Sequence, residues 1–423
     1  MTMSQSVRTD TATTIWDVVV IGGGPAGMMA AAVAGRLGKR VLLLEKNPSV
    51  GKKLLITGGG RCNVTNNKRD VRTMLAEYKD ASKYLFSAFM QHAVADSIDW
   101  FTTRGVPLVE ENEGRLFPKS NTAQSVWNAL VAELRTTGVV IQFKSAVRSL
   151  VVQSDTTFVL TLQNGNQIYT QACVMATGGT SRPETGSTGD GFRILKELGH
   201  QVVTNNFALV PITVYETWSK VLSGVSLPDT KLSLYVDGKK YSTNRGKLLF
   251  THVGLSGPLV LNQSRKIGEL LDTGTVSIKL DLIPDLDAGA LKSTLQALLV
   301  TASNKKIKNI LTALIPAALV APVLDLAQIN ADTPCHSVRT ENRKLLVTTL
   351  KALPLTVSGL LGPDKAVVSA GGVDPREIDF KTMESRIVPK LFVVGDVLNV
   401  DRPSGGYSLQ LCWTTGHVAG FSA

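Results

Sequence analysis

Gly22, Gly24 and Gly27 stand in the spacing G-x-G-x-x-G, between a β-branched run and an alanine-rich run. There the first glycine permits a tight strand-to-helix turn. The second removes a side chain where a diphosphate must approach, and the third lets helix pack on strand. Unpaired N–H groups and the positive helix end then favour the anion. Pro25 has its φ fixed near the helical value and suits the first helical position. Glu45 lies 18 residues past Gly27, close to the spacing of about 20 for a carboxylate that hydrogen-bonds an adenosine ribose. These residues predict a dinucleotide site without choosing between nicotinamide and flavin.

A second turn of the same kind lies near the other end of the chain, in FVVGDVLNVDRPSGGYSLQ (392–410). Asp396 follows an apolar run and is placed to accept hydrogen bonds from the ribityl hydroxyls of a flavin. The helix opening at Gly405-Gly406-Tyr407 can aim its N–H groups and positive end at the flavin pyrimidine, which stabilises the anionic reduced ring. Chain ends commonly meet in space, so the two turns are expected to hold two ends of one non-covalent FAD. A third cluster, ITGGGRCNVTN (56–66), is too glycine-rich for a helix and too polar for a core. Its glycines let backbone approach a flat ring or a phosphate. Arg61 suits a phosphate or an anionic substrate, and Asn63 a ring edge. Cys62 has no partner cysteine nearby and reads as a small packed residue. ATGG (176–179) and GSTGDG (186–191) are further loops of this type.

The elements that must position these loops are legible as periodicity. Ile15 to Ile21, Met28 to Leu37 and Val41 to Leu44 form a βαβ unit. Residues 123–136 read as an amphipathic helix, 139–143 as a strand, 147–162 as hairpin strands, 172–175 as a buried strand and 190–198 as a helix. Past about residue 203 the texture changes to short strands, with a hairpin signal at Asp237-Gly238. Helical runs broken by prolines follow over 288–329, with 310–324 reading as buried helix, and strands resume over 353–368. The expected organisation is a first part of an FAD-binding domain over 1–200, an insert domain over 201–350, β-rich then helical, and a return to the FAD-binding domain over 351–423.

Composition bounds the function. The chain has 423 residues, 43% hydrophobic and 19% charged, enough apolar material for two or three folded units. Four cysteines stand far apart with no C-x-x-C, so neither a zinc ribbon nor a dithiol motif is written, and no metal site is expected. Scattered thiols fit a reducing cytoplasm. The start of the chain lacks the order of a secretory signal, and the longest apolar stretch is too short to span a bilayer, so a soluble cytoplasmic protein with no membrane partner is expected. Net charge is +11. Lys and Arg are scattered and never form a block, so nucleic acid is not expected as a partner.

Four stretches together carry a more specific signal: residues 17–66, EGRLFP at 113–118, ATGGTSRPETGSTGDGF at 176–192, and 369–416 with its GGY-x-LQ. They resemble the BaiN-like flavoproteins, also called YhiN-type and labelled aminoacetone-oxidase-type FAD-binding enzymes, across almost the whole chain. The resemblance implies an α/β fold, a glutathione-reductase-like FAD/NAD(P)-binding Rossmann domain with an inserted mixed β+α domain. It implies FAD contacts at Gly22, Gly24, Pro25, Ala26, Gly27, Glu45 and Lys46, at Gly60, Arg61 and Cys62, and at Val147 for adenine. Further contacts are implied at Ala176, Thr177 and Gly178, and at Gly395, Asp396, Gly406, Tyr407 and Ser408. The chain departs from the family's usual glutamate at Asp396 and aspartate at Asn399, with Arg402 as a neighbour.

An FAD-dependent oxidoreductase is therefore expected, an NAD(P)H-linked flavin reductase-type enzyme passing hydride through flavin N5 to or from a small organic substrate. With one glycine fingerprint, NAD(P)H would visit only transiently. Arg61, Asn63, Arg115 and Tyr407 are the catalytic candidates, as they lie on loops expected near the ring, and His252 of the insert could face it. Alternatives are a reductase of activated C=C bonds like ketosteroid dehydrogenases or fumarate reductases, a tRNA-modifying flavoprotein, or a flavin-based redox sensor. Substrate, electron donor and oligomeric state are not written in the sequence.

Overall fold

The computed structural model describes residues 15–153, 157–204, 209–362 and 371–423. The polar start of the chain and the end of the stretch expected to be strand, 363–368, lie outside these residues. Contacts divide the described chain into two units, one of residues 15–204 with 371–423, the other of 209–362.

The first unit opens with β1 (Ile15–Ile21), α1 (Pro25–Arg36) and β2 (Val41–Leu44). Pro25 starts α1 because its missing N–H has no partner in a first turn anyway. A short α2 (Lys52–Ile56) and a 3-10 turn over Thr57–Gly60 lead to β3 (Thr65–Asn66). Three helices follow, α3 (Val71–Ala76), α4 (Ser82–Gln91) and α5 (Val94–Thr102). Then come β4 (Leu108–Glu111), β5 (Arg115–Pro118), the amphipathic α6 (Ala123–Thr136) and β6 (Val140–Gln142). The antiparallel pair β7 (Val147–Val152) and β8 (Phe158–Leu162), then β9 (Gln167–Met175), α7 (Asp190–Glu197) and β10 (Val202–Thr204) complete this half.

The second unit is a closed six-stranded barrel with helices. Its strands are β11 (Ile212–Val214), β12 (Ser226–Val236), β13 (Lys239–Thr251), β14 (Gly254–Ser256) and, after α8 (Pro258–Leu261) and α9 (Ser264–Leu271), β15 (Val276–Asp281). Positive φ at both Asp237 and Gly238 makes the β12–β13 turn, as the Asp-Gly signal requires. Helices α10 (Ala288–Thr301), α11 (Ile307–Leu311), α12 (Ala317–Leu326) and α13 (Thr340–Lys351) precede β16 (Leu353–Leu360). The stretch expected as one buried helix over 310–324 is interrupted. Pro316 caps α12 in extended conformation, and the chain turns over Thr312–Ile315 before it. The expected return to the first unit at 351 comes later, because β16 pairs with β15 and β11 and closes the barrel.

Back in the first unit lie β17 (Gly371–Val373), β18 (Ile378–Asp379), β19 (Glu384–Ser385), β20 (Leu391–Val393) and α14 (Tyr407–Ser422). Its large sheet runs β18-β19-β20-β9-β1-β2-β6, with β20, β9, β1, β2 and β6 all parallel. β10 and β17 pair antiparallel, so the chain leaves this unit and re-enters it through neighbouring strands. The last helix packs on the first. A Cβ on Gly416 or Gly420 would collide with the carbonyl oxygens of Ala26 or Ala30, so these glycines, one turn apart, let α14 and α1 cross in close contact. Val18, Val19, Val20, Met28, Phe392 and Trp413 are among the fully buried residues of the core beneath.

Candidate functional site

Because β20, β9 and β1 are adjacent and parallel, the turns that follow them emerge side by side. Gly22, with φ +107°, has its Cα against the Ala176 carbonyl, where a Cβ would stand 2.5 Å from the oxygen. A Cβ on Gly27 would overlap the Gly22 carbonyl oxygen, so the turn and the first helical residues need both glycines. Gly24 is the reverse case. Nothing lies within 4 Å of a Cβ built there, and as N-cap of α1 it offers no side chain to the helix N–H groups. Pro25 and the buried Ala26 continue the turn into α1. The space in front of this helix end fits a diphosphate.

At the tip of β2, Glu45 is 7% exposed. Its Oε2 accepts from Gly23 N–H (2.9 Å), and its Oε1 accepts from the backbone and side-chain nitrogens of Asn47 (2.8 Å each). The glycine turn and the acidic residue expected to serve a ribose are thus in direct contact. Ser145 N–H donates to the Glu45 carbonyl (3.0 Å), which brings the start of β7, with buried Val147, alongside. Lys46 donates to Thr188 Oγ1 (2.6 Å) and to Asp190 Oδ2 (2.7 Å), joining the GSTGDG loop to the tip of β2. In the ATGG turn, Ala176 is buried, Thr177 and Gly178 are half-buried, and Gly178 takes φ +73°.

The turn after β20 reaches α1. Gly395, with φ +66°, leaves room for a Cβ only 2.9 Å from that of Ala26, and its N–H donates to Thr415 Oγ1 of α14 (3.0 Å). Asp396 is held by two cations. One oxygen pairs with Arg402, whose side chain is 1% exposed, and the other accepts from Lys53 Nζ of α2 at 3.2 Å. Burial alone would raise the Asp396 pKa, but Arg402 and Lys53 outweigh it and hold the carboxyl below its ordinary range. Arg402 also donates to the Val400 carbonyl and to Ser408 Oγ (3.0 Å).

The glycine-rich cluster and the start of α14 are brought together. Gly406, with φ +101°, lies against the Thr65 backbone where any Cβ would clash. The Asn63 amide, oriented by its surroundings, donates to the Leu116 and Thr65 carbonyls (3.2 and 3.0 Å) and accepts from Gly406 N–H (3.0 Å). Asn63 therefore braces this backbone in the structure rather than facing a ring edge. Gly59 and Gly60 have open space where a Cβ would be. Arg61 pairs with Glu111 and Asn121, its guanidinium 4.1 Å from the Phe117 ring centroid. Cys62 is fully buried, and burial pushes its thiol up to about 12, which keeps it a neutral packed group. Arg115 donates to the Asn112 carbonyl (2.9 Å). The Tyr407 ring is buried beside Tyr78, whose hydroxyl donates to the Tyr407 carbonyl (2.9 Å). Burial and Glu77 raise the Tyr407 phenol, which keeps it neutral, and Lys68 Nζ lies 5.7 Å from its ring centroid. His252 is exposed in the turn after β13.

Sequence patterns left several members of this neighbourhood unremarked. Gln410, the last residue of GGY-x-LQ, is fully buried and accepts from Thr65 Oγ1 (2.7 Å) while donating to Ser97 Oγ (2.8 Å) and Thr414 Oγ1 (3.0 Å). Trp413 Nε1 donates to the Val64 carbonyl (2.9 Å). These bonds fix α14 to the segment of Asn63. Lys53 also escaped notice. Its signal was the lysine pair directly ahead of the glycine cluster.

A family model described as HI0933-like protein Rossmann domain matches residues 16–422. The chain belongs to this HI0933-like family. Members of the family are FAD-binding Rossmann proteins, and this one is an FAD-dependent oxidoreductase. It is 33% identical over 403 residues to an Escherichia coli protein named ribosomal RNA dihydrouridine synthase, covering 95% of this chain and 96% of that one. It is 28% identical over 414 residues to a Clostridium scindens protein named 3-dehydro-bile acid delta(4,6)-reductase, covering 96% and 98%. Among solved structures, it resembles a 3-ketosteroid-delta4-(5alpha)-dehydrogenase from Rhodococcus jostii with a TM-score of 0.52 at 16% identity, covering 99% of both chains, a likeness of fold. For an HI0933-like protein, the open space at Gly24, the buried Glu45 carboxylate touching the glycine turn and the neighbouring Gly395–Asp396 turn fit FAD. Among the described residues no helix is long and apolar enough to cross a membrane.

Proposed function

We propose that the protein reduces a carbon–carbon double bond conjugated to a carbonyl, with a uracil ring in RNA as the substrate and NADH or NADPH as the source of electrons. FAD, when bound, supplies hydride transfer at N5. The chain's own groups bind and orient it. The α1 N-terminus and Gly24 receive the diphosphate, Glu45 the adenosine ribose, Asp396 the ribityl hydroxyls, and the Gly406–Ser408 end of α14 the pyrimidine edge. The backbone of Gly60, Arg61 and Cys62 and of Ala176–Gly178 lines the path between. Arg61 and Arg115 are the charged groups on the neighbouring loops, available to orient an anionic substrate once their present partners exchange.

The observation that carries the reading is the convergence of three strand-end turns, from both ends of the chain, on one line along the sheet. The choice of bond rests on the relatives. Making dihydrouridine from uridine and reducing a delta(4,6) bile acid both add two hydrogens across a C=C activated by a carbonyl. The RNA substrate is favoured by the more similar of these two relatives and by a net charge of +11. Scattered lysines and arginines argued against nucleic acid, and the relative's name weighs against that argument. The overall change is NAD(P)H + H⁺ + uridine giving NAD(P)⁺ + dihydrouridine.

The purified protein is incubated with NADH or NADPH and in vitro transcribed ribosomal RNA, and in parallel with a 3-oxo-4,6-diene steroid. A gain of two mass units on a uridine after nuclease digestion is expected. Reduction of the steroid alone would favour a small-molecule reductase, and reduction of neither would remove the proposed chemistry. Gly24→Val and Glu45→Ala should each lose FAD on gel filtration. Variants that stay fully yellow would contradict the assigned cofactor site.

A further inference from the structure

Lys53 is the least expected member of the site. Its ammonium donates to Ser181 Oγ (2.6 Å) and to Asp396 Oδ2 (3.2 Å). Lys53 lies on the helix after β2, Ser181 is fully buried in the loop after β9, and Asp396 is in the turn after β20. One side chain thereby ties together the segments that follow three of the parallel strands. Its side chain is 21% exposed, against 1% for Arg402 on the other side of the same carboxylate. Arg402 is enclosed and committed to Asp396, Ser408 and the Val400 carbonyl. Two cations share one carboxylate, leaving the cluster one positive charge in excess. Arg402 already neutralises Asp396, so the excess sits on the more accessible partner, where the loops after β9 and β20 meet.

We infer that Lys53 is a positioning residue for FAD: through Ser181 and Asp396 it locks the loops after β2, β9 and β20 in register, and its surplus charge favours the anionic diphosphate-bearing cofactor. This rests on the cofactor placement proposed above. Arg402 supplies the fixed half of the clamp and Lys53 the half that a ligand can engage. The groups facing Asp396 are Lys53 from α2, Arg402 from the loop before α14, and the Cys412 thiol of α14. Burial pushes that thiol up to about 12, so it stays neutral and adds no charge near neutrality. Acid loss of FAD binding should therefore follow protonation of Asp396, and that protonation is opposed by both cations.

The test is FAD titration of the full-length apoprotein, followed by flavin fluorescence from pH 2.5 to 8 for wild type, Lys53→Met, Lys53→Arg and the exposed control Lys39→Met. Lys53→Met is expected to weaken binding about tenfold at pH 7.5, or about 1.4 kcal/mol, and to move the acid midpoint of binding to higher pH. Lys53→Arg should restore most of both, and Lys39→Met should change neither. Wild-type affinity and pH profile in Lys53→Met would overturn the inference. So would weakened binding with an unmoved acid midpoint that Lys53→Arg fails to rescue, the mark of a merely structural lysine. Wild-type protein that takes up no FAD at all would instead remove the cofactor placement, and that result appears before any variant is compared.

Discussion

The first unit contains two buried polar clusters that look alike on paper and differ in what surrounds them. One is Lys53–Asp396–Arg402. The other is Ser385–His200–Glu377, where His200 Nε2 meets Ser385 Oγ at 2.9 Å and His200 Nδ1 meets Glu377 Oε2 at 2.8 Å. The order serine, histidine, carboxylate is that of a hydrolase triad, yet the setting gives it another role. Ser385 Oγ accepts from Ile387 and Val388 N–H (3.0 and 2.9 Å), so these backbone donors are spent on the hydroxyl itself rather than on an oxyanion. Glu377 also accepts from Gln201 N–H. Serine and histidine are 6% and 4% exposed. That cluster fastens the end of α7 to the edge hairpin β18–β19. The cluster at Asp396 adjoins Gly395, which packs on Ala26 of the β1 turn, where Gly24 has nothing within 4 Å of a Cβ built on it. Geometry among the polar groups is similar, and the neighbouring backbone separates a lock from a site.

Three experiments sharpen the contrast. The largest effect is expected for Asp396→Asn, which leaves the enclosed Arg402 uncompensated and should cost about 3–5 kcal/mol of stability together with FAD binding. Denaturant unfolding and FAD titration of one preparation measure both. His200→Ala should cost about 2–3 kcal/mol by removing a buried ring and unpairing its two partners, with FAD affinity unchanged. A His200→Ala protein that unfolds like wild type but binds FAD poorly would reverse the roles assigned to the two clusters. The smallest effect concerns acid. His92 stacks on His417 at 4.3 Å, and burial, with the charge of His417 second, lowers His92 to about 3. In the unfolded chain a histidine protonates near 6.5. The stability from keeping His92 neutral is thus full above pH 6.5 and lost progressively as pH falls toward 3. Going from pH 7.5 to 5.5 should cost about 1–2 kcal/mol. Equilibrium melts at both pH values test this, and His92→Gln should flatten the dependence.

What the sequence makes legible follows from how far apart the cooperating residues lie. The βαβ unit, the helix over Ala123–Thr136 and the Asp237-Gly238 hairpin rest on neighbours in the chain, and periodicity or turn chemistry suffices to read them. Arg402 is also near Asp396 in sequence. Lys53 reaches Asp396 across 343 positions and Ser385 reaches His200 across 185, separations that no local pattern encodes. The domain edge at β16 was hidden for a related reason. Leu353, Leu355 and Val357 alternate inward as any half-buried strand would, and nothing in that alternation says which sheet the strand joins. The contacts of Asn63 and Tyr407 were not legible either, because a polar or aromatic residue in a glycine-rich loop reads the same whether it meets a ligand or braces the loop.

The pairing of β10 with β17 has one more consequence. Thr204 lies opposite Gly371 in register, so everything between them enters and leaves through a single doorway one strand spacing wide. A tight two-residue turn such as Asn-Gly could close that doorway. A shortened chain built this way would keep the whole parallel sheet and both of its crossing helices, and it would show whether the flavin cradle is a portable module onto which nature has grafted a barrel.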